Sequence, residues 1–134
     1  MATITEKLQM KDRQEMVVVN APESFRAVMA QLPAVTIHAH LESVAETGFV
    51  LAFVTQKAEV DALAPLVAAR AQGDAAVWFA YPKGSSKKLK CDFNRDTGWD
   101  RLEAAGFETV RAIAIDADWT ALRFRRSKFV KAWK

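Results

Sequence analysis

Cysteine is almost absent from this chain: Cys91 is the single thiol among 134 residues. An internal disulfide is therefore excluded, and a reducing, cytoplasmic setting is expected. Long apolar runs are also missing. No window approaches the roughly 18 uninterrupted apolar residues that a membrane helix requires. The first residues, Met1-Ala2-Thr3-Ile4-Thr5-Glu6-Lys7, show no basic segment followed by an apolar one, so no signal peptide is read there. There is no repeat and no low-complexity tract.

What is present suits one domain spanning 1–134. Hydrophobic residues make up 51% of the chain, enough for a core. The net charge of +3 is unevenly spread. Residues 1–82 hold six Lys/Arg against nine Asp/Glu, whereas residues 83–134 hold thirteen against seven. The second part is thus the one expected to meet an anion, unless its charge only keeps the surface solvated.

Periodicity divides the chain into alternating strands and helices. A lead-in helix and link occupy 1–15. Met16–Val19 is a β-branched run, as expected of a strand covered on both faces. Asn20-Ala21-Pro22-Glu23 opens a helix, with Phe25, Val28, Met29 and Leu32 forming its apolar stripe and Pro33 ending it. Val35–Leu41 alternates and reads as a half-exposed strand. Phe49–Val54 is unbroken and apolar, the best candidate for a central strand. A helix follows, capped by Thr55, kinked or divided at Pro65, and closed by Gly73. Ala75–Tyr81 is the next strand. A helix carrying Trp99 and Leu102 inward is closed by Gly106. Thr109–Ile115 and Trp119–Arg125 are joined too tightly to be anything but antiparallel. The order predicts an α/β three-layer sandwich: a Rossmann-like, mostly parallel sheet ending in an antiparallel hairpin. A ferredoxin-like two-layer order for the middle of the chain is the alternative.

Two stretches carry a resemblance. Trp78-Phe79-Ala80-Tyr81-Pro82-Lys83-Gly84-Ser85-Ser86-Lys87 and Ala114-Ile115-Asp116-Ala117-Asp118-Trp119-Thr120-Ala121-Leu122-Arg123-Phe124 resemble an uncharacterised bacterial domain family. Its members share a Trp-x-x-x-Pro-Lys strand end and a late Asp-x-x-Trp hairpin. Val19–Glu23 is similar to that family as well. The resemblance implies architecture and no chemistry. The layout also looks like a shortened Rossmann-type methyltransferase lacking one central βα unit, with Phe49–Val54 as its fourth strand and Ala75–Tyr81 as its fifth. Such an enzyme needs a Gly-rich turn after the first strand. Asn20-Ala21-Pro22-Glu23-Ser24-Phe25 offers none. Glu42, 22 positions after Asn20, stands near where a ribose-binding acid belongs.

Several groups are candidate sites. The loop after Tyr81 combines Lys83, Gly84, Ser85, Ser86 and Lys87, with Asp92 and Arg95 on the same rim. These are the parts of an anion cradle, or else of a solvated basic loop. His38, His40 and Glu42 would share one strand face, a legitimate set of metal ligands were the strand bent. Cys91, among lysines, has a lowered pKa to gain but no histidine beside it. Trp78 and Trp119 read as core. The run Arg123–Lys134 mixes cations with aromatics, like a nucleic-acid contact, but its first half also suits a charged edge strand. Taken together, these residues predict a non-catalytic module that binds a small anionic ligand or a protein partner. The alternatives are an enzyme acting on a phosphorylated or carboxylated molecule at the Pro82–Asn94 loop, and a nucleic-acid binder using a basic tail at 126–134. No metal, no cofactor and no membrane contact is expected.

Overall fold

The computed structural model describes residues 15–30, 36–83, 99–116 and 118–127. Their elements, in chain order, are β1 (Glu15–Val19), α1 (Glu23–Met29), β2 (Thr36–His38), a single 3-10 turn (Leu41–Ser43), β3 (Thr47–Phe53), α2 (Lys57–Arg70), β4 (Ala71–Pro82), α3 (Asp100–Ala104), β5 (Phe107–Ala114) and β6 (Trp119–Arg126). They build one six-stranded sheet in the order β2-β1-β3-β4-β6-β5. β1, β2, β3 and β4 run parallel, while β6 runs antiparallel to both of its neighbours.

The apolar runs are explained by burial on both faces. In β3, Val50 and Ala52 join one core cluster, and Phe49, Leu51 and Phe53 join the other. In β4, Val77 and Phe79 belong to the first and Trp78 and Ala80 to the second. A strand so placed has no solvent face and needs no polar alternation. α1 covers the second cluster with Phe25, Val28 and Met29. α2 and α3 cover the first with Val60, Ala64, Val67 and Leu102. This is the three-layer α/β sandwich the pattern predicts, and the ferredoxin-like order is excluded by the parallel pairing.

Three local expectations are corrected and one is met. Pro65 does not divide its helix: α2 runs unbroken through it, with the proline ring exposed. Gly73 does not cap α2. The helix ends at Arg70 and β4 begins at once, and Gly73, at φ 56, sits in an irregular stretch where the pairing jumps from Thr47↔Ala71 to Phe49↔Ala76. The carbonyls at the end of α2 are capped instead by Arg126 of β6, whose Nη2 donates to Ala68 O at 3.1 Å and Ala71 O at 2.8 Å. Thr55 lies just outside its helix, whose N-cap is Gln56. Gly106 does close α3, in the left-handed region at φ 95.

β6 is not an edge strand. It lies between β4 and β5, and the edge is β5, whose residues from Thr109 to Ala112 are all exposed. The expected lead-in helix, Leu32 and Pro33, and the tail from Lys128 onward lie outside the described residues.

Candidate functional site

A parallel sheet gathers the carboxyl ends of its strands on one rim, and ligands of doubly wound folds bind there at the point where the strand order reverses. In this sheet β1 is followed on one side by β2 and on the other by β3, so the reversal lies between β1 and β3. The residues that leave the sheet at that point are Asn20, after β1, and Val54-Thr55-Gln56, after β3.

Asn20 has φ 57, and among the described residues it is the non-glycine residue with a positive φ. Only glycine enters that region freely, and asparagine is among the side chains that tolerate it best. The chain therefore makes at Asn20 the left-handed turn that a glycine would otherwise provide. Asn20 Nδ2 reaches across the reversal point to Phe53 O at 3.4 Å and to Glu59 Oε2 at 3.5 Å. The other oxygen of Glu59 is held firmly. Its Oε1 accepts from Thr55 N at 2.8 Å, Thr55 Oγ1 at 3.1 Å and Gln56 N at 3.1 Å. These bonds satisfy N–H groups that the start of α2 cannot satisfy itself. They also fix a carboxylate beside the tip of β1, leaving Oε2 with one long contact.

Glu23, Glu42 and Glu59 follow β1, β2 and β3 in sequence, and Glu59 is the one of them in contact with Asn20. Lys57, the lysine of this stretch, is turned away to Asp61 at 3.0 Å and Asp100 at 3.2 Å. Those two carboxylates raise its pKa, and Lys57 in turn lowers that of Asp100. At the start of α1, Pro22 occupies the cap position without an N–H to give, and Glu23 places a carboxylate in the first turn. The Glu23 carboxylate disfavours a phosphate at this helix start.

The hairpin turn completes the same rim. Asp116 Oδ1 accepts from Asp118 N at 2.8 Å and Trp119 N at 2.9 Å, and Lys83 N donates to Asp118 O at 2.8 Å. Trp119 is buried and meets Phe53 edge-on at 5.1 Å, and Phe53 meets Phe25 at 5.1 Å. This aromatic row ties the hairpin, the end of β3 and α1 together directly beneath the rim.

The sequence-derived candidates fare unevenly. Lys83 lies on the rim, while Gly84, Ser85, Ser86, Lys87, Asp92, Arg95 and Cys91 lie outside the described residues. Trp78 and Trp119 are core, as read. His38, His40 and Glu42 do not share a strand face: β2 ends at His38, His40 caps the 3-10 turn, and Glu42 lies within it. The alternation of Val35–Leu41 runs on past the end of β2, where the chain turns to bury Leu41. No group of potential metal ligands forms among the described residues. The basic run is largely structural where it is described. Arg123 and Arg125 are half-buried on an inner strand, and Arg126 caps α2 and lies 4.8 Å over the ring of Phe107. Asn20 and Glu59 were not singled out from the sequence. Their signals were an asparagine directly after a buried strand and a Gln-x-x-Glu opening a helix.

No helix among the described residues is long and apolar enough to cross a membrane. No protein-family model matches the sequence, and no curated protein does. Solved structures do match. The chain is similar to the fibrillarin pre-rRNA processing protein of Methanococcus jannaschii at 11% identity, covering 87% of this chain and 68% of that one, with a TM-score of 0.57. It is similar to the ribosomal protein L11 methylase of Lactobacillus delbrueckii at 12% identity, covering 92% and 76%, with a TM-score of 0.56. Aeropyrum pernix fibrillarin, whose structure holds natively bound S-adenosyl-L-methionine, matches at 12% identity over 82% of this chain and 54% of that one, with a TM-score of 0.51. These likenesses show the fold, a Rossmann-like, mostly parallel sheet ending in an antiparallel hairpin. The expectation of a non-catalytic anion- or partner-binding module is corrected by these findings. The fold is one that a methylase and an S-adenosylmethionine-bound protein use.

Proposed function

We propose that this domain binds S-adenosylmethionine and serves methyl transfer. The observation that carries the reading is the left-handed turn at Asn20 beside the Glu59 carboxylate, at the reversal point of a sheet with the order β2-β1-β3-β4-β6-β5. A dinucleotide brings phosphates, which Pro22 and Glu23 disfavour. S-adenosylmethionine brings an ammonium, a sulfonium, ribose hydroxyls and a single carboxylate, and no phosphate. In this reading Glu59 Oε2, beside the Asn20 turn, holds the ammonium, and Glu42, which follows β2, accepts from ribose hydroxyls. When bound, the cofactor supplies an electrophilic methyl group. The protein's own residues bind and orient it, and Phe53, Trp119 and Phe25 keep the floor of the rim dry.

Thermal shift and calorimetric titration of the purified chain test this. S-adenosylmethionine and S-adenosylhomocysteine should each raise the melting temperature, while a nicotinamide dinucleotide should not. Glu59→Gln should weaken S-adenosylmethionine more than the uncharged thioether product, because only the former carries a sulfonium. Absence of any response to S-adenosylmethionine by a folded protein would end the proposal.

A further inference from the structure

β5 is an exposed sheet edge of unusual charge pattern. Among the described residues no strand pairs with its outer side. A cavity of about 420 Å³ runs along it, lined by Trp99, Glu103 and the strand from Glu108 to Ala112. Val110, at 40% exposure, is the exposed large hydrophobic side chain of the described residues, and it lies in the middle of this edge.

The pairing of β5 with β6 contains a bulge. Glu108 lies opposite Arg125 and Thr109 opposite Phe124, but Arg111 lies opposite Arg123, so Val110 is an extra residue. Arg123 and Arg125 are two positions apart on β6 and share a face. Their opposite numbers Arg111 and Glu108 therefore share that face too, although they are three apart in sequence. Without the bulge they would point to opposite sides.

Charges on an edge strand normally repel a second edge. A Glu and an Arg on one face, flanking a central point, do the reverse for an identical strand. Laid antiparallel across a twofold axis beside Thr109 and Val110, each Glu108 faces Arg111 of the second copy. The contact is attractive, and an isologous interface supplies it twice by symmetry. The arrangement also relieves a local cost. Arg111 stands directly across the ladder from Arg123, and like charges so placed destabilise a sheet. A carboxylate on the outer side of Arg111 offsets that. Within one chain, neither Glu108 nor Arg111 has an ion-pair partner among the described residues.

We infer that β5 pairs with β5 of a second copy, forming a homodimer through a continuous sheet with reciprocal Glu108–Arg111 contacts. The interface lies away from the rim around Asn20 and does not depend on the proposed cofactor.

Charge swaps on the full chain test it, with mass measured by light scattering after size exclusion and folding checked by circular dichroism. The parent chain should be a dimer. Glu108→Arg and Arg111→Glu should each raise the dimer dissociation constant at least about tenfold, because each sets like charges against one another twice. The double variant E108R/R111E should dimerise again, and so should an equimolar mixture of the two single variants. High salt should weaken the parent dimer. A parent that is monomeric at its highest soluble concentration overturns the proposal. So do single swaps that dimerise like the parent, or a folded double variant and mixture that both stay monomeric.

Discussion

Removing the Arg126 side chain should cost this domain a large share of its stability, although the residue lies far from the proposed site. Its Nη2 donates two hydrogen bonds to the last carbonyls of α2, and its guanidinium lies over Phe107. Charge-assisted bonds of this kind contribute about 1.5–3 kcal/mol net, and half-burial argues for the lower part of that range. A cation at a helix C-terminus adds about 0.3–1 kcal/mol, and a guanidinium over an aromatic ring about 0.5–1 kcal/mol. Arg126→Met, which keeps the apolar stem, should therefore lose about 3 kcal/mol. For a chain of this size that is a fall in melting temperature of roughly 10 °C. Arg126→Lys keeps the charge but not the fork, and should recover about half. Denaturant unfolding followed by circular dichroism at neutral pH provides the measurement. If Arg126→Met unfolds within about 0.5 kcal/mol of the parent, well below the hydrogen-bond contribution alone, the account of how β6 holds α2 is wrong.

Four further outcomes are expected. Trp119→Ala opens a void beside Phe53 and should cost about 3–5 kcal/mol in the same unfolding experiment, whereas Trp119→Phe should cost less than half of that. Gly106→Ala meets no neighbouring atom within 4 Å, so its cost should come from the left-handed backbone alone, about 1–2 kcal/mol by thermal melting. Asn20→Gly should leave stability nearly unchanged, while Asn20→Val should lose about 1–3 kcal/mol, since a β-branched residue resists φ 57. For the exposed Lys57–Asp100 pair the signs differ. Asp100 is held below its ordinary 3.8, so its contribution is present above that pH and lost as pH falls through the lowered value. Lys57 is held above 10.5, so its contribution is lost only as pH rises beyond that. Asp100→Asn should therefore flatten the acid limb of the stability–pH curve slightly and leave its neutral region level.

The fold was largely legible because its strongest signals are long-range in energy yet local in sequence. Three continuous apolar runs, Met16–Val19, Phe49–Val54 and Ala75–Tyr81, can be satisfied only between two helical layers. The tight link at Asp116–Asp118 admits only an antiparallel pair. What the sequence hid depends on partners far along the chain. The end of α2 was assigned to Gly73, a nearby residue with the right chemistry, but an arginine more than fifty positions away took the role. The order of the last two strands was hidden in the same way. The alternating cations from Arg123 also suit an edge strand, yet β6 is an inner strand whose Arg123 and Arg125 share a face with Arg111 and Glu108. An edge is a property of the sheet, and no strand pattern states it alone.

The candidate site was hidden for a different reason. A glycine-rich turn is looked for by residue type, but what the cofactor's neighbourhood requires is a backbone conformation, and asparagine can adopt it. Once Asn20 is placed at φ 57, its neighbour is Glu59, from the helix after β3, a pairing invisible until β1 and β3 lie side by side. The overall basic character of the chain points the wrong way here. Its excess positive charge lies after residue 82, and the reversal point is built entirely from the acidic part before it.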